Sequence, residues 1–164
     1  MNALSKIALF VSAIAVAHPQ AATAQTRSLS KAWAGSWQLD TGESKFSSAD
    51  FTPKSETRSY SINGTRLTMR SNGINAAGKK LAWGYSARAD GKWYSTSGNP
   101  NSDHVSLTLV SPHELNSKTK LKGKRSANST LKLSADGKLL TIHRSILMAK
   151  GGPTDDTLIY HRTK

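Results

Sequence analysis

Cysteine is absent from this 164-residue chain, which excludes disulfides, thiolate metal ligands and a lipid attached through cysteine. Eukaryotic secreted domains of this size often depend on disulfides, so a chain without them fits a bacterial periplasm or exterior better. A domain of about 140 residues buries roughly two-thirds of its unfolded surface and needs no such cross-links. We therefore expect a single domain stabilised by its apolar core.

Acidic residues are also scarce, at 10 against 23 Lys and Arg, and signatures of catalysis are missing. The chain has no Gly-x-Ser-x-Gly nucleophile motif and no Gly-rich loop that opens a helix. Asp103 and His104 are adjacent, but consecutive strand residues point to opposite faces, which makes them a poor catalytic pair. The sequence favours a non-enzymatic protein, with hydrolytic chemistry as an alternative.

Hydrophobic spacing typical of helices is missing after residue 40, and apolar and polar residues alternate instead. Gly, Asn, Asp and Ser interrupt this alternation about every ten residues, as in antiparallel sandwiches and barrels. The apolar residues suffice for one inward face, and closure of a long meander removes its open edges. We predict an all-β fold, a single antiparallel up-and-down barrel of eight to ten strands, with a two-layer sandwich as the alternative.

Strands are predicted at 34–39, 56–63, 66–71, 81–88, 93–96, 104–110, 114–120, 125–134, 139–148 and 158–162. The pair Asn63-Gly64 predicts a tight hairpin with positive φ at both central positions. Residues 25–31 are polar, and we expect them to fray.

An apolar run at 7–17 follows Lys6 and precedes Ala22-Thr23-Ala24, an order typical of a secretory signal peptide cleaved after Ala24. The run has 11 residues, whereas a membrane-spanning helix needs about 20. We predict a signal peptide at 1–24, a barrel domain at 25–164 and no transmembrane segment. A retained N-terminal anchor is the alternative.

The predicted mature chain is strongly basic, because 22 Lys and Arg face 10 acidic residues once Lys6 is removed. The resulting net charge of +12 favours polyanions such as lipopolysaccharide, anionic lipid, acidic polysaccharide or nucleic acid. The alternative is that the charge serves solubility alone. Export and the lack of cysteine together predict a bacterial periplasmic or extracellular location.

Gly35-Ser36-Trp37, near the predicted mature terminus, resembles the Gly-x-Trp signature of lipocalins and related calycin barrels. In that family the Trp closes one barrel end, and an Arg of the last strand stacks across it. The resemblance therefore assigns structural closure of the barrel to Trp37 and Arg162. A guanidinium over an indole contributes roughly 0.5–2 kcal/mol.

A longer resemblance adds Ser44-Lys45-Phe46, 134–138 and Tyr160-His161-Arg162, and is to small exported bacterial lipocalin-like proteins of unassigned function. The chain departs from lipocalins proper, because it has no Thr-Asp-Tyr motif in its middle, no disulfide and no long helix expected after the barrel. The resemblance implies a fold and no particular ligand.

The predicted inward face combines large apolar residues with a few polar ones. A barrel of eight strands encloses a space that side chains just fill or that holds one small ligand, and the sequence leaves both possibilities open. Met69, Trp83 and Tyr85 are the predicted ligand contacts. Polar inward positions favour an amphipathic guest. The predicted inward residues are Tyr60, Ile62, Met69, Ser71, Trp83, Tyr85, Val105, Leu107, Ser117, Thr119, Leu131, Leu133, Leu140 and Ile142.

Lys118, Lys120, Lys122 and Lys124 alternate with period two, so at least the first two share one strand face. This row is either an anion-binding stripe or a solvated edge on which lysines discourage strand pairing. Nucleic-acid sites usually add exposed aromatic residues, and none occurs between residues 111 and 142. We therefore predict no nucleic-acid partner.

His143 and His161 fall on late strands, out of phase with Ile142 and Tyr160, which predicts that both lie on the outer face. Without a His-x-His or Glu-x-x-His spacing, neither a metal site nor a cofactor is predicted. Haem ligation by one of these histidines is the alternative.

These features predict an exported, non-enzymatic binding protein that holds a small amphipathic or apolar ligand in a lipocalin-like barrel. The alternative is a cationic surface-interaction protein that binds an anionic envelope polymer or partner, with a filled barrel as its scaffold.

Overall fold

Alternating residues form ten antiparallel strands in a computed structural model that describes residues 28–149 and 151–163. The predicted signal peptide at 1–24 lies outside the described residues. None of the helices within them is long and apolar enough to cross a membrane. The strands are β1 (Gly35–Lys45), β2 (Ser55–Asn63), β3 (Arg66–Ile74), β4 (Lys80–Arg88), β5 (Asp90–Ser97), β6 (His104–Ser111), β7 (Glu114–Leu121), β8 (Lys124–Leu133), β9 (Leu139–Ile146) and β10 (Thr154–Arg162).

Each strand pairs with the next along the chain, and β1 pairs with β10, so the sheet closes into a barrel. The closing register places Trp37 of β1 opposite Arg162 of β10 on one side and opposite Arg58 of β2 on the other. The predicted up-and-down barrel is confirmed, and the two-layer sandwich is excluded. Closure pairs both edges that the described meander would otherwise expose.

Period-two alternation directs one face of every strand inward. On β3, Leu67, Met69 and Ser71 are buried while Arg70 is exposed. The inward faces form one core, as expected for a barrel whose apolar residues supply a single buried face. The buried hydrophobic residues of the barrel strands are Trp37, Leu39, Tyr60, Leu67, Met69, Ala87, Val105, Leu107, Leu115, Leu131, Leu133, Leu140, Ile142, Ile146, Leu158 and Tyr160.

The hairpin between β2 and β3 is confirmed, but its turn is shifted by one residue from the prediction. Asn63 pairs with Arg66, which leaves Gly64 and Thr65 as the central residues. Only Gly64, with φ of +59°, has positive φ there. The β7–β8 turn has the predicted double-positive geometry instead, because Lys122 and Gly123 have φ of +49° and +81°. Pairing of the flanking strands, rather than the Asn-Gly pair, fixed the register.

One end of the barrel is filled by a short 3-10 helix that the sequence did not predict, Lys31–Trp33. Trp33 is fully buried and donates from its indole nitrogen to the carbonyl of Pro112 at 2.9 Å. Leu29 is also buried, and the backbone of Ser30 binds the same carbonyl at 3.1 Å. The expectation that 25–31 frays is therefore wrong for its described part, because two apolar side chains anchor it to the core.

Candidate functional site

A cavity of about 320 Å³ lies inside the barrel. Its wall is made by large apolar side chains together with small polar ones from β7 and β8, such as Ser117 and Ser126. Ligand pockets in proteins typically measure roughly 300–1,000 Å³ and are mainly apolar. The interior is therefore only partly filled, and the space is large enough for a small ligand. The apolar and aromatic residues that line the barrel wall here are Leu81, Trp83, Tyr85, Val105, Ala127, Leu131, Ile142, Ile146 and Leu158.

The mouth of the cavity lies at the end of the barrel opposite Trp33. The segment between β1 and β2, the β3–β4 and β5–β6 loops and Met148 surround it. Asp50, Pro100 and Asn101 are exposed, and Met148 is 48% exposed. Because these lining residues also face solvent, the cavity communicates with the surface between the loops.

The segment that crosses the mouth contains a second 3-10 helix, Ala49–Phe51. Asp156 of β10 holds it, since its carboxylate accepts hydrogen bonds from the backbone and hydroxyl of Ser47, both at 2.8 Å. Arg144 of β9 binds the other carboxylate oxygen at 2.5 Å and reaches the carbonyl of Phe51 at 3.4 Å. Burial alone would raise the pKa of Asp156, but these hydrogen bonds and Arg144 lower it.

An ion pair is buried in the cavity wall on β2. Glu56 and Arg58 are two residues apart, so both point inward, and Arg58 Nε donates to Glu56 Oε1 at 2.9 Å. Ser71 and Tyr160 donate to the same carboxylate at 2.5 and 2.7 Å. Burial alone would raise the pKa of Glu56, but Arg58 and these hydrogen bonds lower it to about 2. Glu56 is therefore ionised at neutral pH.

The guanidinium of Arg58 lies between two aromatic rings. Its central carbon is 4.9 Å from the ring centroid of Tyr160 and 5.5 Å from that of Trp83. Cation–π contacts strengthen when they are shielded from water, and Arg58 is only 8% exposed. The rings and Glu56 together stabilise a charge that would be costly to bury alone.

This polar cluster was not predicted from the sequence, although a signal for it was present. Tyr60 and Ile62 were predicted to point inward, and the same period of two places Arg58 and Glu56 inward as well. Charged residues usually lie on the outside of a protein. Glu56 and Arg58 can be buried because they form an ion pair with each other.

Two of the three predicted ligand contacts line the cavity. Trp83 and Tyr85 of β4 do so, with ring centroids 6.2 Å apart. Met69 does not, because it is 1% exposed and belongs to the packed core outside the lining. Its cross-strand neighbours are Tyr60 and Tyr85, and only the ring of Tyr85 reaches the cavity. Met69 is thus a core residue in this structure.

Trp37 and Arg162 meet at the filled end. The guanidinium carbon of Arg162 lies 4.3 Å from the centroid of the Trp37 ring. Arg162 also donates to the carbonyls of Gly137 and Ala34, both at 2.8 Å, and to that of Ala32. Neither Trp37 nor Arg162 lines the cavity, and the hydrogen bonds of Arg162 join segments at the filled end of the barrel.

The lysine row divides between a strand and a turn. Lys118 and Lys120 share the outer face of β7, whereas Lys122 lies in the following turn and Lys124 begins β8. An aromatic residue of β5, Trp93, lies next to these basic side chains. Trp93 is 39% exposed, with Lys120 Nζ 4.6 Å and the Arg125 guanidinium carbon 5.9 Å from its ring centroid.

The absence of aromatic residues from 111–142 was therefore a misleading guide to this surface. Trp93 is remote in sequence, but Ser106 of β6 pairs with both Trp93 and Lys118. This cross-strand row brings the indole beside the basic residues. Trp93 therefore supplies the exposed aromatic residue whose absence from 111–142 was the reason for predicting no nucleic-acid partner.

Polar groups on the outer wall include both predicted histidines. His143 and His161 are exposed, as predicted. His161 Nε2 lies 2.9 Å from Glu43 and 3.8 Å from Asp40, a grouping of side chains that the sequence analysis did not find. Two backbone N–H groups, those of Gly42 and Glu43, already occupy Asp40 Oδ1.

Asp103 and His104 form a hydrogen bond of 2.8 Å, contrary to the expectation that they point apart. The reason is that β6 begins at His104, so the pleat does not constrain Asp103. Asp103 also accepts a hydrogen bond of 2.6 Å from the backbone of Lys122, so the pair fixes the β7–β8 turn. Both residues lie outside the cavity lining.

No known protein-family model matches the chain, and no curated protein is significantly similar in sequence. Solved structures do match it. The zebrafish ileal bile acid-binding protein in complex with cholic acid has a TM-score of 0.54 and 11% identity, over 80% of this chain and 99% of that one. The fold is a lipocalin-like barrel.

Lobster apocrustacyanin A1 also matches, with a TM-score of 0.46 and 19% identity over 80% of this chain and 61% of that one. Apocrustacyanin C2 gives a TM-score of 0.47 at 18% identity, over 81% and 62% of the two chains. At these identities the likeness concerns the fold alone. A fold assigns no ligand by itself, so ligand binding has to be argued from the side chains of this chain.

Proposed function

We propose that this protein is an exported, non-enzymatic carrier that holds a small, largely apolar molecule inside its lipocalin-like barrel. The observation that carries the proposal is the interior cavity of about 320 Å³, lined by Trp83, Tyr85 and aliphatic side chains and open between the loops. Burying apolar ligand surface yields about 25 cal/mol per Å². The neighbour whose structure contains cholic acid has the same fold, which supports this use of the interior.

Native mass spectrometry of the protein purified from its own host tests the proposal directly. We expect a bound small molecule that is released on denaturation. Adding fatty alcohols, isoprenoids or a solvatochromic dye to the stripped protein should change the emission of Trp83. A protein that arrives empty and binds none of these would contradict the proposal.

Filling the cavity separates interior binding from adhesion to the surface. Ala127 lines the cavity, and its neighbour Asn128 is exposed on the outer wall of β8. Ala127→Phe should weaken dye binding at least about tenfold, because the added ring occupies ligand space. Asn128→Phe adds the same ring outside and should leave binding unchanged. Equal effects of the two variants would place the dye elsewhere.

Export is part of the proposal, and the run at 7–17 supports it. Expression of the full chain in a Gram-negative host should yield a periplasmic or secreted protein whose N-terminal sequence begins at Gln25. Recovery of the uncleaved chain in the membrane fraction would favour the retained anchor.

A second candidate function is attachment of the basic outer wall to an anionic envelope polymer. The observation that favours it is Trp93, which is exposed beside Lys120 and Arg125. Lys118, Lys122 and Lys124 extend the same positive surface. An aromatic face flanked by cations suits a sugar ring that bears acidic groups, because it offers stacking and charge together.

Salt dependence tests this second function. Binding to immobilised lipopolysaccharide or heparin should weaken steeply as ionic strength rises, since exposed charges are screened over about 10 Å at 0.1 M salt. Lys118→Glu with Lys120→Glu should abolish binding, whereas Lys31→Glu with Lys45→Glu, at other exposed sites, should reduce it far less. Binding that is insensitive to salt would contradict this function.

A further inference from the structure

Both cations that line the cavity in the described part of the chain are paired with a carboxylate. Arg58 is paired with Glu56, and Arg144 is paired with Asp156. Asp50, the remaining charged lining residue, is exposed at the mouth. No cation lining the cavity lacks a carboxylate partner within the described part of the chain. A ligand carboxylate placed deep in this space would therefore carry an uncompensated negative charge.

The carboxylate of Glu56 has no remaining capacity to accept hydrogen bonds. Its Oε1 accepts from Arg58 Nε and Ser71 Oγ, and its Oε2 accepts from Arg58 Nη2 and Tyr160 Oη. An ionised carboxylate has about four lone-pair sites. A ligand that offers only donors would find no free acceptor in this buried group.

Donor groups, in contrast, remain free in the cavity wall. Arg58 uses Nε and Nη2 for Glu56, and its guanidinium also lies near the buried hydroxyl of Tyr60. The indole N–H of Trp83 and the hydroxyl of Tyr85 make no hydrogen bond within residues 28–149 and 151–163. Both side chains belong to β4, and the cross-strand row Arg58–Ser71–Trp83 places Trp83 beside the buried ion pair.

Resting on the proposed carrier function, we propose that the cavity selects an uncharged ligand with a hydrogen-bond acceptor, such as a ketone, ester or ether oxygen, and rejects carboxylates. The acceptor binds the indole N–H of Trp83 or the hydroxyl of Tyr85, and the apolar remainder lies against the aliphatic wall. A carboxylate at the same place would lie beside the ionised Glu56, and burying an uncompensated charge is strongly unfavourable.

A pair of probes of matched shape tests this selectivity in the wild-type protein. Dodecanoic acid and undecyl methyl ketone differ only in that a methyl group replaces the acid hydroxyl. At pH 7, in a dye-displacement assay, we expect the ketone to bind at least about tenfold more tightly.

The pH dependence of binding provides a second readout that needs no variant. If the acid enters only in its neutral form, its affinity falls about tenfold for each pH unit above its own pKa, while that of the ketone stays constant. Tight dodecanoate binding with pH-independent affinity would overturn the selectivity and leave the carrier function standing. If both probes are excluded, the carrier function and the selectivity that depends on it fall together.

The variant Glu56→Gln should remove most of the preference for the ketone. It keeps the shape of the side chain but leaves Arg58 as an uncompensated cation, so dodecanoate should bind at least about tenfold more tightly than to the wild type. The control Glu43→Gln removes an exposed carboxylate outside the cavity lining and should leave both affinities unchanged. If Glu56→Gln is largely unfolded by near-ultraviolet circular dichroism, the wild-type probe pair and its pH series still decide the question.

Discussion

Arg162 lies over the indole of Trp37, with its guanidinium carbon 4.3 Å from the ring centroid, and the two residues pair across β1 and β10. These strands are the first and last of the barrel, so this contact lies on the seam that closes the sheet. It also caps the filled end, where the indole N–H of Trp37 donates to the carbonyl of Trp33 at 3.3 Å. One arginine thereby joins the seam to the end cap.

The first prediction concerns this arginine. Arg162→Ala should lower the free energy of unfolding by about 3 kcal/mol, because it removes a cation–π contact and three charge-assisted hydrogen bonds to backbone carbonyls. Arg162→Lys keeps the charge but lacks the planar guanidinium group with its several donors, and should lower the free energy of unfolding by about 2 kcal/mol. Urea titration measures both. Arg70→Ala on the exposed face of β3 is the control, and an equal loss there would refute the seam argument.

The second prediction concerns acid stability. Arg58 and the hydrogen bonds of Ser71 and Tyr160 hold the pKa of Glu56 at about 2 in the folded protein, below its ordinary value of 4.5. A carboxyl group with a depressed folded pKa stabilises the protein above its unfolded pKa, and this contribution is lost as pH falls toward the folded value. Unfolding free energy should therefore decline between about pH 4.5 and pH 2.

Glu56→Gln identifies the group responsible for that decline. The variant should be less stable than the wild type at pH 7, by about 3 kcal/mol, because Arg58 loses its buried partner. It should also show a shallower loss of stability on acidification. Parallel pH profiles of the two proteins would show that Glu56 does not control this region. Thermal unfolding followed by circular dichroism supplies the measurement.

The third prediction concerns the segment across the cavity mouth. Asp156→Asn removes the negative charge that binds Arg144. It also weakens the hydrogen bonds that this side chain accepts from Ser47. Residues 47–52 should then exchange backbone hydrogens faster, and a bound dye should dissociate several-fold faster because the mouth opens more often. Asp155→Asn, at the exposed neighbouring position, should change neither rate. A dissociation rate that is unchanged in Asp156→Asn would show that ligands leave by another route.

The fourth prediction concerns the β7–β8 turn. Gly123 has φ of +81°, and a Cβ added there meets no atom within 4 Å. The cost of Gly123→Ala is therefore a matter of backbone conformation alone, about 1 kcal/mol of unfolding free energy. Lys122→Asn should be tolerated, because asparagine adopts the left-handed region readily. Both values come from chemical denaturation, and a neutral Gly123→Ala would mean that the turn relaxes.

Local patterns were enough to predict the barrel wall. Alternation on β3 and β4 placed Leu67, Met69, Trp83 and Tyr85 on one face, because successive strand side chains point to opposite sides. The same rule set all ten strands in order, although several ends extended beyond their predicted bounds. β1 runs to Lys45 rather than 39, since pairing with β10 resumes there after an irregularity.

The functional features depended on contacts between distant segments. Trp33 is buried in the core, and the carbonyl of Pro112, far along the chain, accepts its indole hydrogen. Trp93 joins the basic surface through two intervening strand pairings. Neither relation leaves a trace in a window of neighbouring residues, so local pattern analysis misses both.

The sequence by itself determined that this chain is all-β, that one face of each strand is buried and that the meander closes. Those outcomes follow from the alternation of apolar and polar residues with a period of two, and from the tendency of unpaired sheet edges to aggregate. Only the tertiary structure decided that ten strands leave space inside, and that Glu56 neutralises Arg58 at its wall. The physical reason is that cavity volume and charge pairing depend on which side chains meet across the barrel.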